Sequence, residues 1–143
     1  MTLVVATGTF DLLHPGHVLY LERSKALGDE LVVIVARDVN VRHKAKPILP
    51  EEQRRRMIES LKPVDRAILG EVGDIFRTIE DLRPDIITLG YDQHFDEEAL
   101  AAELFRRGLS PRIVRIEAHE PCPLCGSSRI VARILERFRG RRI

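Results

Sequence analysis

The sequence is short of several residue types that mark particular classes of protein. It has no tryptophan, only two cysteines, and an aromatic content of 5%. The longest wholly apolar run, residues 31–36, is far too short to cross a bilayer, and no basic stretch opens the chain as in a secretory signal. The net charge of +1 calls for neither a nucleic acid nor a membrane surface as partner. These absences predict a cytoplasmic protein that binds neither, with its cysteines reduced.

Short β-branched apolar runs alternate with amphipathic segments along the whole chain. The apolar runs predict strands at residues 3–7, 30–36, 64–70, 85–90 and 112–116. The amphipathic segments predict helices at residues 17–27, 51–61, 74–82 and 128–138, and one from a cap at Asp96 to near Gly108. Such alternation predicts parallel strands joined by right-handed crossovers. We therefore expect one doubly wound, Rossmann-like α/β domain over residues 1–143, with a sheet of about five strands.

Three polar loops follow predicted strands, at residues 8–17, 37–46 and 90–95. In doubly wound sheets, ligands bind outside the carboxyl ends of the strands, where the strand order reverses. We therefore look for a functional site among these three loops.

The first loop, GTFDLLHPGH at residues 8–17, has the composition of a phosphate-binding turn. His14 and His17 lie three residues apart at the start of a helix, which puts both side chains on one face. Pro15 presets the backbone for the helix, and Gly16 lets a ligand approach the main chain. The helix amino terminus adds N–H groups and positive potential. Together these features predict a phosphate cradle beneath two imidazoles.

Two other interpretations of the first loop are weaker. One is a turn with incidental histidines, but here the pair follows a buried strand and opens a helix. The other is a zinc site, which lacks a third ligand at a metal-binding spacing. In the phosphate interpretation Gly8 gives close backbone approach and Thr9 gives a hydroxyl. Asp11 either orients a metal or an imidazole, or forms an Asx turn.

The first loop resembles the HxGH motif of the nucleotidylyltransferase superfamily, in its cytidylyltransferase-like branch. LERSKALGDELVVIVARDVN and RRRMIESLKPVDRAILGE resemble further stretches of glycerol-3-phosphate cytidylyltransferases, and GSSRI stands where these enzymes have a Ser/Thr-rich element. The resemblance implies that His14 and His17 contact the nucleotide phosphates and stabilise charge while the α-phosphorus is attacked. It also implies a nucleotide site that includes Gly8, Thr9, Phe10, Asp11 and Gly16.

Basic residues elsewhere match the same resemblance. Arg54 falls on the apolar stripe of its helix, so it either snorkels to solvent or needs a buried partner. It matches an arginine near the triphosphate, which favours a catalytic role. Lys44 and Lys46 lie in a long second loop, where a lysine could close over phosphates or simply be solvated. We predict that one of them, Lys44 first, acts in catalysis.

Two further segments complete the expected nucleotide site. Ser127 and Ser128 start the last helix, where one of them should be its N-cap, and Arg129 stands where the family has lysine. After the fourth strand, Gly90 permits close approach of a ligand, Tyr91 could stack on a ring or pack, and Asp92 could bind ribose or a metal-bound water.

The acceptor is indicated by a departure from the cytidylyltransferases. AHEPCPLCGSS replaces their cytosine-reading stretch, and together with LGYDQHF it resembles archaeal FAD synthases. That resemblance implies ATP and FMN as substrates, a divalent ion, for which Mg²⁺ is favoured, and a possible homodimer. The alternatives are a cytidylyl- or adenylyltransferase for glycerol 3-phosphate or another phosphorylated small molecule, a nucleotide sensor, and a cysteine-based metal or redox protein.

Cys122 and Cys125 form a single Cys-x-x-Cys pair. Two subunits could pool such pairs around zinc, His119 could add a ligand, or the pair could be a redox dithiol. We expect reduced thiols that line a loop near the site.

Overall fold

A computed structural model of the chain describes residues 1–42, 44–91, 93, 95–117 and 121–142. Its strands are β1 (Leu3–Gly8), β2 (Glu30–Val35), β3 (Arg66–Leu69), β4 (Ile86–Gly90) and β5 (Arg112–Ile116). Its helices are α1 (Pro15–Lys25), α2 (Glu51–Glu59), α3 (Ile75–Leu82), α4 (Glu97–Arg106) and α5 (Ser127–Arg137). A 3₁₀ turn (Asp38–Asn40) lies in the second loop, which in the structure extends from residue 37 to the start of α2, so that this name covers residues 37–50 from here on. Among the described residues no helix is long and apolar enough to span a membrane.

The five strands form one parallel sheet in the order β3-β2-β1-β4-β5. The chain winds outward from β1 to β3, returns to β4 beside β1, and winds outward again to β5. This confirms the predicted doubly wound α/β fold. The strand order reverses between β1 and β4, so the loops that follow these two strands flank the ligand-binding crevice of such sheets.

Alternate residues of the central strands feed two separate cores. Val33 and Val35 of β2 join a cluster with Leu21 of α1 and Ile58 of α2. The intervening residue Ile34 points to the opposite face, where the cluster includes residues of α3 and α4. Both faces of the sheet are therefore covered, which explains why these strands read as continuous apolar runs.

The amino-terminal edge of the sheet is fixed by carboxylates. Asp29 accepts a hydrogen bond from the backbone of Thr2 at 2.7 Å, and Asp85 accepts one from Leu3 at 2.8 Å. Asp65 accepts from the Leu31 N–H at 2.8 Å and pairs with a lysine of α1. Because strand starts expose unpaired N–H groups, these carboxylates satisfy N–H groups at the amino ends of the strands. The opposite end of the sheet, where the strands finish, is the one left for a ligand site.

A buried polar cluster ties α1 to β1 and β4 directly below the crevice. The Tyr20 hydroxyl donates to the Thr88 carbonyl oxygen at 2.8 Å and accepts from the Thr7 N–H at 3.3 Å. Ser24 and Thr88 join their hydroxyls at 2.7 Å. Burial raises the pKa of Tyr20 to about 12, so the phenol stays neutral. The start of α1 is thereby held in a fixed place relative to the two strand ends.

Replacing Tyr20 by Phe should destabilise the fold by about 1–3 kcal/mol, because it leaves the buried Thr88 carbonyl without its donor. Urea unfolding at neutral pH measures the loss. The control Ser60→Ala removes an exposed hydroxyl bonded to its own helix and should change stability by less than about 0.5 kcal/mol. Equal losses in the two variants would contradict a structural role for the Tyr20 hydroxyl.

Candidate active site

The two histidines of the first loop lie against each other at the amino terminus of α1. Their ring centroids are 3.8 Å apart and the ring planes differ by 28°. His14 is the N-cap of the helix, since its Nδ1 atom accepts a hydrogen bond from the Gly16 N–H at 3.1 Å. This cap starts the helix at Pro15, two residues before the start that periodicity predicts. A neutral His14 in this arrangement carries its proton on Nε2.

The requirement for glycine at position 16 comes from His14 itself. A Cβ atom on Gly16 would lie 2.9 Å from the imidazole ring of His14, closer than real Cβ atoms come to such neighbours. From the sequence, this glycine was expected to allow the approach of a ligand. The structure shows that the group approaching the backbone is the capping histidine.

Phe10 supports the pair from below. It has φ 53°, in the left-handed region that a bulky residue seldom adopts, and only 4% of it is exposed. Its ring covers Gly8, where a Cβ would lie 2.7 Å from it. The ring meets that of His17 edge-on at 5.4 Å and stacks on Tyr20 at 6.2 Å. The structure thus places the Phe10 ring under the histidines.

His17 is held in an environment that opposes its protonation. Burial, followed by the nearby His14 and Lys44, lowers its pKa to about 3. Its Nδ1 atom is buried and lacks a hydrogen-bond partner in the described part of the chain. The ring is therefore neutral near pH 7, with one N–H to donate, and an arriving anion would meet a hydrogen-bond donor.

The buried guanidinium of Arg54 ties the first two loops together. The residue is 1% exposed. Its Nη1 atom donates to the Thr9 carbonyl at 2.6 Å, Nη2 donates to Asp38 Oδ1 at 2.6 Å, and Nε donates to the Leu49 carbonyl at 2.9 Å. The buried partner that its position on the helix called for thus comes from both loops. In this arrangement Arg54 touches backbone and carboxylate, so it orders the site from behind.

Asp11 and Lys46 fix the second loop further. The Asp11 carboxylate accepts hydrogen bonds from the backbone of Ile48 at 2.8 Å and of Leu49 at 3.0 Å. The carboxylate thus makes a long-range contact between loops instead of the expected Asx turn. Lys46 donates to two carbonyls of its own loop, those of Asp38 at 2.7 Å and Val41 at 2.9 Å.

Lys44 is placed differently from Lys46. It is exposed, and its charge contributes to lowering the pKa of His17. The structure thus brings Lys44 to the histidine pair, whereas the ammonium of Lys46 is engaged by its own loop.

The start of α5 meets the first loop. Ser127 Oγ donates to the Leu12 carbonyl at 3.4 Å, which brings the amino end of α5 beside that of α1. The N-cap is Gly126, not a serine as predicted. Glycine takes this position because its φ of 157° lies at the edge of the range that L side chains rarely adopt. Ser127 is then the first residue of the helix, while Ser128 and Arg129 are exposed.

The cysteines ahead of α5 are joined. Cys122 and Cys125 form a disulfide with Cα atoms 5.3 Å apart. The expectation of reduced thiols is therefore wrong for this structure, because a turn brings the two residues within the Cα separation that a disulfide bridges. His119, the suggested extra zinc ligand, lies outside the described residues.

The described residues of the loop after β4, numbers 90, 91, 93 and 95 and called the exit loop below, lie at the carboxyl end of β4 beside the crevice. Gly90 donates its N–H to Gln93 Oε1 at 2.6 Å, and Tyr91 is 52% exposed. Phe95 packs against the core on the α3 and α4 side. Asp92 lies outside the described residues. Arg115 of β5, which was not predicted from the sequence, donates to three carbonyls of this loop.

The arrangement suits the binding of a polyanion and the stabilisation of charge on it. Two helix amino termini and two imidazoles converge on one side of the crevice, with a lysine nearby. No group of three or more His, Cys, Asp and Glu side chains that could hold a metal occurs within residues 1–42, 44–91, 93, 95–117 and 121–142. A divalent ion can also be held largely by the oxygens of a phosphorylated ligand.

Comparison with known proteins is consistent over nearly the whole chain. A family model described as cytidylyltransferase-like matches residues 5–133. An FAD synthase of Methanothrix thermoacetophila is 65% identical over 95% of this chain and 95% of that protein. One of Archaeoglobus fulgidus is 59% identical over 96% of this chain and all of its own. A crystal structure described as a lipopolysaccharide core biosynthesis protein of Thermoplasma volcanium superposes with TM-score 0.81 at 52% identity, over 84% of this chain and 99% of that one.

Replacing Arg54 by Met should cost about 2–4 kcal/mol of stability, because a buried cation that joins two loops is lost. Urea unfolding measures the loss. Arg56→Met on the exposed side of the same helix is the control and should stay within about 0.5 kcal/mol of wild type. A loss for Arg54→Met as small as that of the control would contradict the role of Arg54 in joining the two loops.

The low pKa of His17 predicts a pH-dependent stability. Unfolded histidine binds its proton near pH 6.5, whereas folded His17 does so near pH 3. Stability is therefore fully present above pH 6.5 and is lost as the pH falls toward 3. Relative to His17→Gln, wild type should lose up to about 1.4 kcal/mol per pH unit in this window. Urea unfolding of both proteins between neutral and acid pH measures the difference, and a constant difference would overturn the prediction.

Proposed function

The chain belongs to the cytidylyltransferase-like family, and from this premise we propose that it makes FAD by transferring AMP from ATP to the phosphate of FMN. The observation that carries the proposal is the stacked pair of His14 and His17 at the crevice, with the amino ends of α1 and α5 beside it. The FAD synthases that align with nearly all of the chain are the reason for choosing ATP and FMN as the substrates. The enzyme is a nucleotidyltransferase.

The reaction is an in-line displacement at phosphorus. An oxygen of the FMN phosphate forms a bond to the α-phosphorus of ATP, the bond from that phosphorus to the bridging oxygen of the β-phosphate breaks, and pyrophosphate leaves with the electron pair. FMN brings an anionic oxygen, so the protein need not provide a nucleophile. Catalysis then consists of positioning and charge stabilisation.

We assign the charge stabilisation to donors on the phosphate side of the crevice. His14 and His17 donate hydrogen bonds to phosphate oxygens, His17 from a neutral ring, and the ammonium of Lys44 adds positive charge from the second loop. Arg54 supports them through Thr9 and Asp38 and does not itself contact substrate.

The remaining groups of the proposed site come from the other loops. The first turn of α5, with Ser127, Ser128 and Arg129, receives the leaving phosphates. Gly90 and Tyr91 line the nucleoside end. We propose Mg²⁺ as the divalent ion, which would neutralise part of the phosphate charge of ATP when bound. Because both substrates are phosphorylated metabolites, a cytoplasmic location accompanies the proposal, and a homodimer stays an expectation.

One alternative acceptor class deserves a direct comparison. The family description itself names cytidylyl transfer, which keeps a cytidylyl- or adenylyltransferase for glycerol 3-phosphate or another phosphorylated small molecule as the second candidate.

The test offers ATP or CTP together with FMN, glycerol 3-phosphate or phosphopantetheine, with Mg²⁺ present, and measures pyrophosphate release and the nucleotide product. ATP with FMN should give FAD at the highest kcat/KM. No FAD from this pair, with turnover of another, would overturn the proposal.

The role assigned to His17 is tested by the variant His17→Ala. It should lower kcat by about 10²–10³-fold and change the KM values far less, because the donor acts on charge that develops in the transition state. A rise in KM alone, with kcat retained, would contradict the assigned role.

A further inference from the structure

Arg115 is the residue whose contacts the proposed chemistry does not explain. It is the second-to-last residue of β5, and its side chain is only 17% exposed. Its Nη1 atom donates to the carbonyls of Gly90 at 2.7 Å and Gln93 at 3.1 Å, and its Nη2 atom donates to that of Phe95 at 2.6 Å. Its Nε atom donates to Glu97 at 2.7 Å. Every nitrogen of the guanidinium is therefore engaged.

These contacts dictate the shape of the exit loop. Three carbonyl oxygens from one short loop point at a single site, and such dipoles repel one another unless a cation lies between them. A planar guanidinium with five N–H donors suits this task, whereas the point charge of a lysine would reach fewer of the oxygens. The loop conformation therefore depends on this one side chain.

The exit loop is also held from its other side. Gln93 accepts from the Gly90 N–H at 2.6 Å through its side chain and donates its own N–H to the Gly90 carbonyl at 3.2 Å. Its side-chain amide lies 3.4 Å from the Thr7 hydroxyl of β1. The loop is thus fixed between β5 and β1, beside the crevice and opposite the first loop.

The charge of Arg115 is satisfied within the protein. Its donors go to backbone carbonyls, and its positive charge is paired with Glu97. The described residues of the exit loop, Gly90, Tyr91, Gln93 and Phe95, are all uncharged. Uncharged groups suit a sugar or a base better than phosphates, for which the first loop has imidazoles and helix N–H groups.

We propose that Arg115 is a positioning residue for the nucleoside end of ATP. It holds the exit loop in the shape that receives the sugar and base while His14 and His17 hold the phosphates. The inference rests on the proposed function, since that function supplies ATP as the nucleotide.

The experiment compares Arg115→Met, Arg115→Lys and Glu97→Gln with wild type. Arg115→Met keeps an unbranched apolar stem and removes all donors. Glu97→Gln removes the ion pair and leaves the three carbonyl contacts, so it controls for the charge pair alone. The KM values for ATP and FMN, kcat and the Tm are measured, and binding of a non-hydrolysable ATP analogue is measured by calorimetry.

For Arg115→Met we expect the KM for ATP and the Kd of the analogue to rise about tenfold or more, as expected when charge-assisted hydrogen bonds that shape a binding loop are lost. The KM for FMN and kcat at saturating ATP should change less than about threefold. Arg115→Lys should fall between this variant and wild type, and Glu97→Gln should match wild type. If Arg115→Met does not fold, Arg115→Lys carries the same comparison.

Two results would overturn the proposal. One is a lower Tm with ATP affinity unchanged well below the unfolding temperature, which would make Arg115 purely structural. The other is a rise in the KM for FMN with the KM for ATP unchanged, which would mean that the exit loop binds the acceptor FMN and not ATP. Calorimetry keeps the two proposals separate: wild type that binds the analogue but makes no FAD would refute the proposed function and still test Arg115.

Discussion

The pairing of β1 with β2 on one side and with β4 on the other is the constraint on which the candidate site depends. Because the chain leaves β1 toward one face of the sheet and leaves β4 toward the other, a crevice opens between their carboxyl ends. The buried hydroxyl of Tyr20 joins both strands to α1 just below that crevice. The position of the histidine pair therefore follows from the sheet itself more than from the flexibility of a loop.

Two arginines fix the loops on either side of this crevice by the same physical means. Arg54 and Arg115 each direct their donors to backbone carbonyls of segments distant in sequence and pair with one carboxylate. Every nitrogen of the two guanidinium groups is engaged by groups of the protein, so these cations order the loops, and the proposed ligand contacts fall to imidazoles, a lysine and helix ends. Carbonyl oxygens of irregular loops lack the partners of regular structure, and an arginine satisfies several of them at once.

The fold was predictable because apolar periodicity encodes it locally. The strand at residues 112–116 was predicted with its observed bounds. The other predicted strands and helices begin and end within about two residues of the observed ones. The histidine pair was also predictable, since its spacing and context are local. Gly126 as the cap of α5 and the cysteine pairing depend on the conformation of one turn, which composition does not specify.

The features of the site that could not be predicted from the sequence depend on long-range contacts. Arg54 was visible as a charge on an apolar stripe, but its partners Thr9 and Asp38 are 45 and 16 residues away. Arg115 gave only a weak signal, a charge inside the strand RIVRI, and its partners are backbone atoms that carry no side-chain signature. Residues that act through main-chain carbonyls are hard to recognise without coordinates.

Arg54 and Arg115 each hold a loop through a set of contacts, called a clamp here, and the two clamps lie in separate parts of the chain. The clamp of Arg54 draws only on residues up to 54, and that of Arg115 only on residues from 90 onward. Mutations in the carboxyl-terminal half can therefore remodel one wall without disturbing the anchors of the other. A scaffold of this kind can vary the loop that Arg115 holds while the histidine pair and its Arg54 anchor stay in place.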